Sequence, residues 1–265
     1  MIKLTVGSRG EEVKLLQRAL NENLKLSMKA DGVFGPDTIN ALKRFQIENE
    51  IPVTGVYDEA TYDSLNTYIS DRFIRLSDID LFADALSVEP AALKAVFIVE
   101  SNSAGFLPNS KPTILFEGHI FYKLIAKTLG QNTAIALSRK YPNVCYMSWD
   151  RSKYYGGDKE YIRLNQAQSI NESIANQSAS WGLFQIMGFN YKAAGYNDID
   201  TFVDEMYYSE HLQFQAGCNF IASNAGIINA LRKKDWTTFA RLYNGPAYAQ
   251  NNYHNKLAAA YRQNL

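Results

Sequence analysis

Glu100 closes the segment PAALKAVFIVE (90–100), and the chain then turns to the small polar residues of Ser101-Asn102-Ser103-Ala104-Gly105. Leu93, Val96, Phe97 and Glu100 fall at i, i+3, i+4 and i+7, so one helical stripe carries three apolar side chains and a carboxyl. Ser87-Val88-Glu89-Pro90 reads as the entrance of that helix, with the proline at an early position. A carboxyl on the core side of the last turn meets two effects that disfavour its anion. Desolvation raises its pKa, and the partial negative charge of the helix C-terminus acts in the same direction. A carboxylic acid kept protonated near neutral pH can protonate a leaving oxygen such as that of a glycosidic bond. The pattern alone fits equally well a glutamate that curls off the helix end into water, or a buried one paired with an arginine.

Glu117, in ILFEGHIFY (114–122), is the second candidate carboxylate, with Phe116, Ile120 and Phe121 around it. Support of catalysis and a structural hydrogen bond to a nearby loop suit it equally. Glycosidases commonly pair two carboxyls, about 5 to 5.5 Å apart for retention and roughly 6.5 to 9.5 Å for inversion. No aspartate is marked by a motif, and Asp150 and Asp158 read as solvated loop residues, so the water-activating group is left unassigned. His119 reads as a hydrogen-bonded polar residue, and with His211 and His254 it shows no metal-ligand spacing. No metal and no cofactor are expected. Cys145 and Cys218 read as buried thiols of a protein made in a reducing compartment.

The elements that must position these groups have two textures. In the first 66 residues, short helices alternate with glycine turns. Val13, Leu16, Gln17 and Leu20 follow Gly7-Ser8-Arg9-Gly10. Then comes DGVFGPDTINALKRFQ (31–46), where Gly35-Pro36 reads as a turn and Thr38 as a helix start. Gly55-Val56-Tyr57 echoes Gly32-Val33-Phe34. Residues 67–79 read as a helical connection, and 80–265 as a helix-rich domain with a long polar-aromatic loop at 146–161. The predicted fold class is mainly α. In the 265 residues, 27 Lys and Arg balance 27 Asp and Glu, which argues against a nucleic-acid footprint. No run suits a membrane span and the first residues show no secretion signal, so a soluble protein made in a cytoplasm is expected; a monomer is expected as well.

The doubled turn, with Leu16-Gln17 before it and Phe45-Gln46 between its halves, resembles the peptidoglycan-binding domain of many cell-wall hydrolases. The order Glu100-Ser101, then Ser180-Trp181-Gly182-Leu183-Phe184-Gln185-Ile186-Met187, then Tyr243-Asn244-Gly245 resembles the lysozyme-like superfamily, which includes goose-type lysozymes and soluble lytic transglycosylases. With Leu115-Phe116-Glu117-Gly118-His119 the set is most similar to a phage N-acetylmuramidase family. The 85 residues between Glu100 and Gln185 favour it over the transglycosylases, whose two motifs lie closer.

The resemblance implies a small three-helix wall-binding domain followed by a helical lysozyme-like domain. It implies Glu100 as the acid, Glu117 in support, and Ser101, Gln185, Tyr243 and Asn244 as sugar contacts. For Trp181 and Phe184, packing suits as well as sugar stacking. The implied activity is cleavage of the β-1,4 bond between N-acetylmuramic acid and N-acetylglucosamine in peptidoglycan, in host lysis by a phage. The enzyme would wait in the host cytoplasm until it is let out to the wall, with a holin as the expected helper. A lytic transglycosylase giving 1,6-anhydro products and a non-catalytic wall-binding phage protein are the alternatives.

Overall fold

The computed structural model describes residues 3–70, 74, 76–100, 105–107 and 109–265. It divides into two compact units, Met1–Phe73 with Tyr207–Ser209, and Ile74–Met206 with Glu210–Leu265.

The first unit holds helices α1 (Glu11–Leu24), α2 (Pro36–Glu48) and α3 (Glu59–Ser70) around a core of Val13, Leu16, Leu20, Phe34, Leu42, Phe45 and Leu65. Helix α2 starts at Pro36, two residues before the expected Thr38. Proline suits the first helical position because its missing N–H would have no intrahelical partner there. The repeated sequence pattern is a repeated hydrogen-bond device. The Gln17 carboxamide donates to Asp31 Oδ1 (3.0 Å), Val33 O (3.0 Å) and Thr38 Oγ1 (2.9 Å), and accepts from Gly32 N (2.8 Å). The Gln46 carboxamide donates to Thr54 Oγ1 (3.1 Å), Val56 O (3.0 Å) and Thr61 Oγ1 (2.9 Å), and accepts from Gly55 N (2.9 Å). Each glutamine therefore replaces the backbone partners its turn lacks. The turns need glycine because φ is +73° at Gly32 and +65° at Gly55, and a Cβ at Gly55 would sit 2.7 Å from Lys43 Cε.

Replacing Gln46 by leucine keeps the bulk but leaves the buried Gly55 N–H unpaired. Gln46→Leu should destabilise this unit by about 2 kcal/mol, as read by urea unfolding of the full chain. A change below about 0.5 kcal/mol, the range of neutral substitutions, would contradict this account of the turns.

The second unit contains α4 (Leu76–Leu86), α5 (Pro90–Glu100), β1 (Ile114–Phe116), α6 (Gly118–Leu129), α7 (Gln131–Lys140), α8 (Glu160–Gln177), β2 (Ala179–Trp181), β3 (Ile186–Met187), α9 (Ile199–Tyr208, apart from its last two residues), α10 (Glu210–Ser223), α11 (Ala225–Lys233), α12 (Trp236–Asn244) and α13 (Tyr253–Gln263). The three strands form an antiparallel sheet in the order β1-β2-β3, with Ile114 opposite Trp181 and Ser180 opposite Met187. Helix α5 is the central element and packs on α13, α4 and α11. Ala92, Leu93, Ala95 and Val96 have no exposed surface, which is why its sequence is apolar on nearly every side. Helix α8 is two helices joined at Asn171, whose φ of −160° and ψ of 106° break the run; its Oδ1 then accepts from Ile174 N (2.9 Å) and caps the second half.

The loop between α7 and α8 is tied to the sheet by a buried ion pair. Arg163 Nη1 donates to Glu160 Oε2 (2.7 Å) and to Phe116 O (2.8 Å), Nε to Asn143 O (3.0 Å) and Nη2 to Tyr146 Oη (3.0 Å). Glu160 Oε1 accepts from Tyr155 N (2.6 Å) and Gly156 N (2.9 Å). Trp181 is 1% exposed and its Nε1 donates to Asn176 O (2.9 Å), so it is a packing residue. Cys145 and Cys218 are free and buried.

Candidate active site

A cleft of ≈ 550 Å³ opens in the second unit, and Glu100 stands in its wall with Gln185, Met187, Asn190, Tyr243, Asn244 and Tyr253. Helix α5 delivers the carboxyl from its last residue, and α12 ends opposite it. Asn244, the last residue of α12, donates from Nδ2 to Glu100 Oε1 at 3.2 Å. Burial pushes the Glu100 carboxyl up to about 7, while the Asn244 hydrogen bond and the charge of Lys256 pull it down. Burial thus favours the protonated carboxyl over the carboxylate, the direction a general acid needs.

Tyr243 sits one residue before Asn244. Its ring stacks on Phe239 (5.4 Å between centres, 10° between planes) and meets Phe220 edge-on at 5.8 Å. Its hydroxyl is buried and has no hydrogen-bond partner among the described residues. Burial, and then the charge of Glu100, keep the phenol neutral far above its ordinary range.

Gln185 lines the cleft, but its side chain is engaged within the protein. Nε2 donates to Thr113 O (3.0 Å) and Gly182 O (2.8 Å), and Oε1 accepts from Ser180 Oγ (2.8 Å). It holds the β2–β3 turn against the residue before β1 and does so with φ at +49°. Ser101 lies outside the described residues.

Glu117 is not among the residues that line this cleft. Glu117 follows β1 at the end away from Thr113, to which Gln185 bonds. Its Oε2 accepts from Tyr154 Oη at 2.6 Å and lies 3.2 Å from His119 Nδ1, within the region that the Arg163–Glu160 pair holds. His119 departs from the expected hydrogen-bonded residue: its Nδ1 is buried and makes no hydrogen bond among the described residues, and burial lowers its pKa.

Several residues at the site carried no signal in the sequence. Asn190, Phe220 and Tyr253 reach the cleft from three separate segments. Gln213, 1% exposed, ties the site together from α10. Its Nε2 donates to Gly105 O (3.2 Å) and its Oε1 accepts from Leu183 N (2.8 Å), so Gly105 and the β2–β3 turn share one side chain. A glutamine in a helix shows such a role only when its partners, 108 and 30 residues away, are known.

The N-acetylmuramidase family matches residues 89–264, the region that builds the cleft. The chain belongs to the N-acetylmuramidase family. The same muramidase matches a peptidoglycan binding domain family over residues 9–65, the unit with the two glutamine-centred turns. It resembles the crystal structure of a Burkholderia AP3 phage endolysin at 38% identity, covering 99% of each chain, with a TM-score of 0.68. A search of curated proteins found no match for the muramidase. It is a peptidoglycan hydrolase, with a wall-binding unit ahead of a glycosidase unit.

Proposed function

We propose that this muramidase is a phage endolysin that cleaves the β-1,4 bond between N-acetylmuramic acid and N-acetylglucosamine, with Glu100 as the general acid. One observation carries the assignment of the acid. Glu100 is a carboxyl in the cleft wall whose burial favours the protonated form at neutral pH, and Asn244 orients it through Oε1. In this reading Glu100 gives its proton to the glycosidic oxygen as the bond from that oxygen to C1 of muramic acid breaks. N-Acetylglucosamine leaves with a free 4-hydroxyl. Water adds to C1, and the proton it releases restores Glu100. Asn190, Tyr253 and Asn244 supply polar contacts for sugar and water along the cleft. Glu117 acts from outside it, by holding Tyr154 and the loop that Tyr154 belongs to. The enzyme works as a monomer, reaching the wall from the host cytoplasm once a separate factor lets it out. The wall-binding unit raises the local concentration of the catalytic unit on its polymer.

Mass spectrometry of soluble muropeptides released from purified sacculi tests the reaction. The expected products end in reducing muramic acid. Products ending in 1,6-anhydromuramic acid, lighter by one water, would overturn hydrolysis, and products ending in reducing N-acetylglucosamine would overturn the choice of bond.

A further inference from the structure

Tyr253 and Lys256 lie three residues apart on α13, so they share a helix face. Tyr253 lines the cleft beside Glu100, and the Lys256 ammonium stands 5.5 Å from the centre of the Tyr253 ring. Helix α13 packs along α5, which fixes both residues relative to the end of α5 where Glu100 sits. Lys256 is itself exposed. Nothing in packing requires it there, since its neighbour Leu257 supplies the buried contact. An aromatic face attracts an ammonium at an exposed site, enough to bias a flexible lysine toward one position.

Among the described residues, the other ionisable groups around α5 do not supply this charge. On α12 and α13, Tyr243 and Tyr253 are phenols whose pKa values burial raises further. His254 turns its ring edge-on to Tyr248 at 5.6 Å. On α4, Asp80 is 2.8 Å from Lys94. At the opposite end of α5, Glu89 is held by Lys234 and Tyr261, and Arg232 of α11 donates to Leu86 O. Among the described residues, Lys256 is the cation whose charge lowers the pKa of Glu100.

We propose that Lys256, held over the Tyr253 ring at the cleft wall, is a positioning residue that sets the upper pH limit of the reaction at Glu100. A buried carboxyl with no cation near it keeps its proton too firmly to be a good acid. The ammonium favours the carboxylate that forms as the proton moves to the glycosidic oxygen, so it promotes the transfer and places the loss of the acid form near neutral pH. The inference rests on Glu100 being the acid.

The test is the pH dependence of sacculus lysis at limiting substrate, which follows kcat/KM. In Lys256→Met the alkaline limb should move up by about half a pH unit, with about a twofold lower rate on the plateau. Lys256→Arg should keep the wild-type limb. Tyr253→Phe should also keep it, whereas Tyr253→Ala should move it as Lys256→Met does. Molar salt should move the wild-type limb toward that of Lys256→Met and leave the Met variant in place. An unmoved limb in Lys256→Met, with Glu100→Gln inactive, overturns this inference alone. An active Glu100→Gln overturns the reading beneath it.

Discussion

Glu100→Gln should lose at least about a hundredfold in the rate of sacculus lysis, the lower end of general-acid contributions, and should unfold at a higher temperature than the wild type at pH 8. The two effects share one cause. Glutamine cannot give up a proton to the leaving oxygen, but its carbonyl can still accept from Asn244 Nδ2, so the cleft keeps its shape. The stability effect follows from the direction of the shift. The folded-state pKa of Glu100 is raised, to about 7. Its contribution to stability is therefore fully present below the unfolded pKa of about 4.3 and is lost as pH rises through the folded value. Above that, the wild type buries a charge that the variant lacks. Allowing for the part of the side chain that reaches solvent, the difference at pH 8 is on the order of 2 kcal/mol. At pH 4 the two proteins should unfold together. A variant that lyses sacculi at near-native rate removes Glu100 from the chemistry. One equally stable to the wild type at pH 8 shows that the carboxyl is solvated rather than buried.

The position of Glu100 was legible because helical periodicity carries directional information. A carboxyl at i+7 from Leu93 has to leave α5 on the side of Leu93 and Val96, and both are fully buried. The wall-binding unit was legible for a similar reason. Gln17 and Gln46 each serve a turn 9 to 15 residues away, so the whole device fits inside a short repeat.

Glu117 shows where that kind of reading stops. Its apolar neighbours Phe116 and Phe121 gave burial without direction. Its carboxylate is directed by Tyr154, 37 residues on, in a loop with no periodic pattern. Gln185 shows a second limit. The motif marked the residue as belonging to the cleft, which it does, but a carboxamide can serve sugar or backbone. Only the positions of Thr113 O and Gly182 O reveal that the backbone has it. Tyr253, Lys256 and Gln213 were invisible because their roles exist only once α10 and α13 have packed.

Arg163→Met should cost about 3 to 5 kcal/mol, the usual penalty for removing one partner of a buried ion pair. For a unit of this size that corresponds to a fall of roughly 10 °C in Tm. Arg163 is 1% exposed and Glu160 has no exposed surface, so neither charge can turn to water when the other is removed. The arginine also serves three partners besides Glu160, namely Phe116 O, Asn143 O and Tyr146 Oη. Lysine, with one compact donor group, cannot span them, and Arg163→Lys should fall between the wild type and the methionine variant. In Glu160→Gln/Arg163→Met no buried charge remains, and Tyr155 N and Gly156 N can still donate to the glutamine carbonyl. The double variant should therefore be more stable than Arg163→Met alone, which gives the pair a coupling energy measurable in a double-mutant cycle. The loss should also reach the cleft. Phe116 O, which Arg163 holds, closes the strand that begins after Thr113, and Thr113 O holds Gln185 in the cleft wall. Lysis by Arg163→Met measured well below its unfolding temperature should fall several-fold, with the alkaline limb of its pH profile unchanged because the surroundings of Glu100 are intact. A methionine variant within about 1 kcal/mol of the wild type would mean that the loop from 141 to 159 stays on β1 without the ion pair. Packing of Tyr146, Tyr154 and Tyr155 around position 163 would then be what fixes it.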